Sequence, residues 1–262
     1  MKQLTFLFIF CLPAITQAFA QNTVVTMTTT NDSVKIAVEW TGAGSIIANG
    51  VELKNDYYKE AIISPSIDGS VVLTATDGAQ LTHLHCDNNS LTVLDITNCP
   101  QLKELWCFAN SLTALDVTKN SELETLYCGD NPLGALDVTK CVNLTKLNCS
   151  QNYSLTSLDV TQCINLTELS CFNNSLTILD VTKCPKLTSL DCWDNSLTAL
   201  DVTNNPELQY IDCSSNRSLT SLDVTKCLKL EYLYYIETSL PTLDVSKCVN
   251  LKEIKNTFPW EN

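Results

Sequence analysis

Arginine is almost missing from this chain. The 262 residues contain one, Arg217, and only two histidines, His83 and His85. Acidic residues outnumber basic ones, 29 against 16, for a formal charge of −13. Such a balance does not suit nucleic acid, whose binding rests on neutralising phosphates, or an anionic membrane surface. Glycine is scarce too, and only Gly129 and Gly134 fall beyond residue 80. That argues against a glycine-rich calcium-binding β-roll in this part of the chain. The sequence has no G-x-S-x-G, no H-E-x-x-H, no phosphate-binding glycine loop and no C-x-x-C pair. With both histidines in one short segment, a Ser-His-Asp site would have to use His83 or His85. The expectation is a chain that is not an enzyme. After the first twenty residues no stretch is long and apolar enough to cross a bilayer as a helix.

What is present begins with a leader. Lys2 supplies a positive start, "LTFLFIFCLPAI" an apolar run, and "AFA" at residues 18–20 the small residues of a cleavage site. The expectation is a signal peptide over residues 1–20, cleaved after Ala20, and an exported protein, secreted or held at a cell surface.

From Leu81 onward one phrase recurs eight times, LTxLxCxxNSLTxLDVTxCxx. The copies start at Leu81, Leu102, Leu123, Leu144, Leu166, Leu187, Leu208 and Leu230, and a ninth begins at Leu251. Two copies carry one extra residue just after the asparagine, near Tyr153 and Arg217. An insertion that keeps to one place marks a tolerant turn. The phrase is itself two similar halves, LTxLxCxxN and LTxLDVTxC. In each half the apolar positions four and six are two apart, so they share one face of a strand. One coil cannot bury its leucines alone, whereas stacked coils share a continuous core. At ~4.8 Å per coil, eight coils make a rod roughly 40 Å long.

The phrase resembles the leucine-rich repeat in its short nested form, known from exported bacterial proteins of the internalin kind. The resemblance covers residues 81–250. It implies a mostly β fold, a solenoid of about eight coils of 21–22 residues with parallel strands. Residues 21–80 read as short strands between Asn, Asp, Gly and Pro. They are similar to the small β-rich leader domain that precedes such repeats, and would cap the open end of the solenoid. "VVLTATDGAQ" reads as a partial coil leading into Leu81. Residues 251–262 read as a C-terminal cap, with Phe258, Pro259 and Trp260 as a short lid.

Of the fourteen cysteines, thirteen follow the repeat. Cys11 lies in the leader. Seven of the others, among them Cys86, Cys107 and Cys128, occupy an inward strand position. Cys99, Cys141, Cys163, Cys184, Cys227 and Cys248 form a second column in which Asn120 and Asn205 stand in. Exchange of Cys and Asn suggests a turn position that serves nearby backbone groups, and so does the asparagine column from Asn89 to Asn216. A disulfide needs converging Cβ atoms ~3.8 Å apart, which in-register stacking does not offer. Buried free thiols acting as small hydrophobes are therefore expected, with some disulfides as the alternative.

The two outer faces differ. Asp95, Asp116, Asp137, Asp159, Asp180, Asp201, Asp223 and Asp244 recur once per copy between inward residues. Such a row is either an architectural ladder, hydrogen-bonded to the Thr two residues on and balanced by the Lys after it, or a row of calcium sites. Its monotony favours architecture. The outward positions of the first half vary instead, and most of the aromatics of the repeat region sit there. The candidate partner-binding residues are His85, Glu104, Trp106, Phe108, Tyr127, Phe172, Asp191, Trp193, Tyr210, Asp212, Tyr232 and Tyr234. Aromatics also suit strand surfaces for packing reasons alone. His83, His85 and Asp87 alternate on one strand, but ~6.7 Å between such side chains does not favour a shared ion, so no metal or other cofactor is expected. The resemblance implies a protein-binding scaffold of adhesion or adaptor type. Aromatics beside Asp, Asn and Glu leave glycan binding open, and a structural spacer is the third reading.

Overall fold

The computed structural model describes residues 23–56 and 58–257. The leader, its cleavage position and the lid residues 258–260 lie outside them. All regular structure among the described residues is strand. Eight strands belong to the amino-terminal part and the first coil: β1 (Thr23–Thr29), β2 (Val34–Thr41), β3 (Ile46–Ala48), β4 (Val51–Glu52), β5 (Ala61–Ile63), β6 (Ser70–Ala75), β7 (Gln80–His85) and β8 (Leu91–Asp95). Each later coil adds one three-residue strand: β9 (Glu104–Trp106), β10 (Thr125–Tyr127), β11 (Lys146–Asn148), β12 (Glu168–Ser170), β13 (Ser189–Asp191), β14 (Tyr210–Asp212), β15 (Tyr232–Tyr234) and β16 (Glu253–Lys255). From β7 through β9 to β16 these strands are parallel and in register. Leu84, Leu105, Leu126, Leu147, Leu169, Leu190, Ile211, Leu233 and Ile254 stand one above another. Through β15 the central residue is buried and its two neighbours are partly open, as the two-residue period requires.

The first coil is clamped from both sides. β2 pairs antiparallel with β7, placing Val38 opposite Leu84, and β5 borders β2. β1 pairs antiparallel with β8, placing Met27 opposite Leu94, and β6 lies on the other side of β1. The parallel sheet therefore continues without a break into the amino-terminal strands, which cover its otherwise open edge. The segment expected to form a partial coil is instead β6, an antiparallel strand between β1 and β3. Local pattern does not reveal this, because the partners of β6 lie more than twenty residues away. The glycines concentrate here for a steric reason. A Cβ on Gly44 would lie 1.6 Å from the Thr76 carbonyl oxygen, and Gly42 combines φ +93° with a Gly78 oxygen 2.5 Å from any added Cβ.

Beyond β8, the second half of the coils makes only one isolated bridge among the described residues, between Leu200 and Leu222. The strand expected there forms no continuous ladder. The aspartate is one reason. Asp116 Oδ1 accepts both the Thr118 backbone N–H, at 2.9 Å, and the Thr118 hydroxyl, at 2.6 Å. The same closure recurs at Asp95, Asp137, Asp159, Asp180 and Asp201. A donor that a neighbouring coil would otherwise use is satisfied locally.

Two inward columns join the coils. Asn131 Nδ2 donates to the carbonyls of Cys107 in the preceding coil and of Cys128 and Gly129 in its own, at 3.0–3.2 Å. Its Oδ1 accepts the Leu112 N–H at 3.0 Å. Asn152, Asn195 and Asn216 repeat the pattern. The second column explains why Cys and Asn exchange. The thiols of Cys141, Cys163, Cys184, Cys227 and Cys248 each point at a valine carbonyl one coil back, 3.6–3.8 Å away. Asn205 reaches the equivalent Val181 oxygen at 2.9 Å and adds Cys184 O at 2.8 Å. The thiol is a weak donor without a strong acceptor. The amide bonds better but leaves Oδ1 of Asn120 and Asn205 buried without a partner. All thirteen described cysteines are free and buried. Burial pushes their thiols up, to about 12 for Cys149 and Cys213.

A third column went unforeseen. The residue before each ladder asparagine has positive φ, from 51° to 58°, and none is glycine: Asn88, Ala109, Asp130, Gln151, Asn173, Asp194 and Ser215, with Glu237 at the corresponding place in the next coil. This left-handed residue turns the chain inward after the strand.

The two asparagine columns should respond oppositely to one replacement. Asn152→Cys removes four hydrogen bonds and orphans buried backbone groups, at about 3–4 kcal/mol. Asn205→Cys loses two bonds but also removes an orphaned acceptor, and should stay within about 1 kcal/mol of the parent. Chemical-denaturation midpoints of the two variants measure the contrast.

Candidate binding face

The outward residues of the parallel sheet form columns one coil apart. One runs His85, Trp106, Tyr127, Asn148, Ser170, Asp191, Asp212, Tyr234 and Lys255. Beside it runs His83, Glu104, Thr125, Lys146, Glu168, Ser189, Tyr210, Tyr232 and Glu253. Phe108, Phe172 and Trp193 lie two residues beyond the strand ends, on the edge of the face.

All twelve sequence-predicted residues lie on this face, and all are half-buried rather than fully exposed. Contact between coils covers them. The His85 and Trp106 rings stack at 4.0 Å and 7°, and Trp106 and Tyr127 at 5.6 Å and 24°. Phe172 and Trp193 stack at 4.9 Å and 10°. Tyr210 meets Tyr234 edge-on at 5.8 Å. The aromatics therefore form separate groups: one on the first coils, a stacked pair at mid-rod and a tyrosine group near the far end. Tyr232 belongs to the last group and lies under the Lys252 ammonium at 5.7 Å. Large exposed apolar side chains sit elsewhere, for example Ile178 at 74% exposure beside the aspartate row and Val249 at 82% on a turn. Sequence reading did not single out these positions, which vary among Val, Ile, Ala, Ser, Thr, Pro and Leu.

Polar neighbours fix the aromatic groups. His85 Nε2 lies 2.8 Å from Glu104 Oε1. His83 Nδ1 lies 3.5 Å from Glu39 Oε2 on β2 and 3.0 Å from the Thr82 hydroxyl. The two histidines thus face different carboxylates. Among the described residues no group of three or more His, Cys, Asp or Glu side chains is arranged to hold a metal ion. The Tyr234 hydroxyl donates to Glu253 at 2.6 Å. Trp106 Nε1 is buried without a hydrogen-bond partner.

Asp191 is the electrostatic exception. Burial, then the neighbouring Asp212, raise its carboxyl to about 7, against which the Trp193 backbone N–H pulls weakly. Its Oδ1 is buried and unpartnered. Asp212, by contrast, accepts the Ser214 N–H at 2.9 Å. On the opposite surface the row carboxylates Asp116, Asp137, Asp159, Asp201, Asp223 and Asp244 are held below the usual range, first by the hydroxyl two residues on and next by its backbone N–H.

The model of the family described as Leucine Rich repeats (2 copies) matches residues 164–205. No curated protein matches the chain. The functional domain of InlJ from Listeria monocytogenes, described as including a cysteine ladder, is 42% identical over 68% of this chain, with a TM-score of 0.66. The chain spans 40% of that domain. The Arabidopsis receptor kinase HAESA, solved in complex with the peptide hormone IDA and the co-receptor SERK1, is 18% identical. It matches 68% of this chain and 34% of its own with a TM-score of 0.56, and so shares the fold alone.

Asp191 makes stability depend on pH in a defined sense. Between about 4 and about 7 the folded chain keeps a proton that the unfolded chain has lost. Stability from this group is full below that window and is lost as pH rises through it. Asp191→Asn should therefore stabilise the protein at pH 8 by about 1–2 kcal/mol, allowing for solvent screening of a half-buried group, and leave it unchanged near pH 3.5. Thermal melts of parent and variant at the two pH values test this.

Proposed function

We propose that this chain, a leucine-rich repeat protein, is a non-catalytic scaffold that binds a protein partner across the aromatic strand face. The observation that carries the reading is the pre-stacked aromatic set. His85, Trp106 and Tyr127, and separately Phe172 and Trp193, already hold fixed rings against their neighbours. Side chains ordered in advance lose little rotamer freedom on binding, and Trp and Tyr dominate contact energies. The frame around them is uniform while they vary, which suits recognition. The HAESA complex with IDA and SERK1 supports the same use of the fold by analogy. An adhesion or adaptor role would follow if the protein is exported.

Affinity capture tests the reading, with the native chain as bait and Trp106→Ser, Phe108→Ser, Phe172→Ser and Trp193→Ser combined as control. A partner held by the native rod should be lost by the control, at a cost of at least tenfold in Kd, while the circular dichroism of the two matches. Equal capture by both removes the aromatic face from the reading.

Glycan binding is favoured by one observation, the stacked His85, Trp106 and Tyr127 rings beside Glu104. A sugar ring can lie against such aromatic surface while a carboxylate accepts its hydroxyls. Saturable quenching of tryptophan fluorescence by a simple sugar would support this second reading, and a flat titration would remove it. Export rests on the leader. The mature protein, recovered from the producing cell, should begin at Gln21 on amino-terminal sequencing.

A further inference from the structure

Between Tyr127 of the first aromatic group and Tyr210 of the far group the binding face dips. The depression is a cavity of about 160 Å³ lined by Tyr127, Asn148, Ser170, Ser189, Asp191 and Tyr210, with Lys146 and Glu168 at one side. We propose that this depression receives an arginine side chain of the protein partner, with Asp191 taking the guanidinium, Tyr210 flanking it and Asp212 on the adjacent strand adding negative charge beside the pocket. This rests on the reading that the strand face binds protein, and it names the chemistry of one contact.

Three observations converge. The first is a charge left without a counterpart. On this face Glu104 faces His85, Glu168 pairs with Lys146 at 2.9 Å and Glu253 with Lys255 at 2.6 Å. Among the described residues no cation pairs with Asp191 or Asp212, although they are neighbours on adjacent strands in register. The second is the orphaned Asp191 Oδ1. Every described asparagine of the inner ladder bonds the backbone through its polar atoms, whereas this oxygen has no partner among the described residues. A buried acceptor without a donor is costly, and a turn of the Asp191 carboxyl, which lines the depression, lets a ligand supply one. The third is shape. The floor is built of small side chains, Asn148, Ser170 and Ser189, while Tyr210 stands beside the two carboxylates. A planar guanidinium bonds carboxylates through several N–H groups and lies against aromatic rings, which a compact ammonium does less well.

The groups facing Asp191 are Ser189 on its own strand, Tyr210 and Asp212 on β14, and Ser170 on β12, with the Lys146–Glu168 pair farther along. The thiols of Cys171, Cys192 and Cys213 lie beneath and stay neutral, since burial raises each of them. Asp191 is therefore the group whose ionisation near neutral pH changes the site. A cation should bind better at pH 8 than at pH 5.

The test uses the full-length chain and the peptide acetyl-Gly-Arg-Gly-amide, followed by amide NMR shifts at pH 8. Saturable shifts at Ser170, Ser189, Asp191, Tyr210 and Asp212 are expected. They should weaken at least tenfold with the citrulline peptide, at least threefold with the lysine peptide, and at least tenfold in Asp191→Asn. Asp180→Asn on the aspartate row should change nothing. Lowering the pH to 5 should weaken binding severalfold. Shifts confined to the aspartate row, equal binding of citrulline or lysine, or an unaltered Asp191→Asn variant would each overturn the proposal. The broader reading fails separately. If the combined serine variant loses the captured partner while Asp191→Asn keeps it at full affinity, the face stands and the arginine pocket falls.

Discussion

The structure depends on one amide. From the second coil to the seventh an asparagine is drawn inside, where its NH2 group bonds carbonyls of its own coil and of the coil before it. Its oxygen accepts an N–H from that same preceding coil. The turns of a solenoid have no helix or wide sheet to satisfy their backbone, and buried peptide groups must be paired. The carboxamide offers two donors and an acceptor on a short stem, so one side chain closes a turn and joins two coils. The leucine and thiol columns then pack around a backbone already fixed in height.

That fixed height is what gives the two outer surfaces their different characters. On the strand side, residues one repeat apart stand directly over one another, so rings meet rings and carboxylates meet carboxylates. Whether the meeting is favourable depends on local choice: His85 on Trp106 stacks, whereas Asp191 beside Asp212 repels. On the opposite side every carboxylate turns back on its own coil, bonding the hydroxyl and N–H two residues on. This spends its acceptors locally and lets a uniform acidic row exist with little need of its neighbours. The same residue type, aspartate, is thus satisfied within its own coil on one surface, while on the other Asp191 keeps an oxygen without a partner.

Much of this was legible from sequence. The period placed Cys107 inside and Trp106 and Phe108 outside, and residues 21 apart, such as Phe172 and Trp193, could be read as neighbours. The Asp116–Thr118 bond followed from spacing alone. Other features left no local trace. The left-handed residue before each asparagine carries no glycine signature, because Ala109, Gln151 and Glu237 occupy it as readily as Asn88. The antiparallel clamp of β1 on β8 joins residues about sixty-five apart, through hydrogen bonds that no pattern encodes. The half-buried state of the aromatics, and the desolvation of Asp191, depend on how deep the face dips between coils. Spacing fixes which side chains are adjacent, but depth is a property of all their volumes together.

The asparagine column has a consequence for how such a chain changes over generations. From Asn110 onward every bond it makes runs within a coil or to the coil next door, and each coil offers its successor the same carbonyls it met in its predecessor. A duplicated or deleted coil therefore meets a matching neighbour at both cuts, provided whole units are exchanged. Rod length is free to drift by unequal recombination while the amino-terminal clamp stays in place. A new coil arrives with its inner chemistry complete and its outer strand positions open, so growth in length adds surface on which new specificity can be selected.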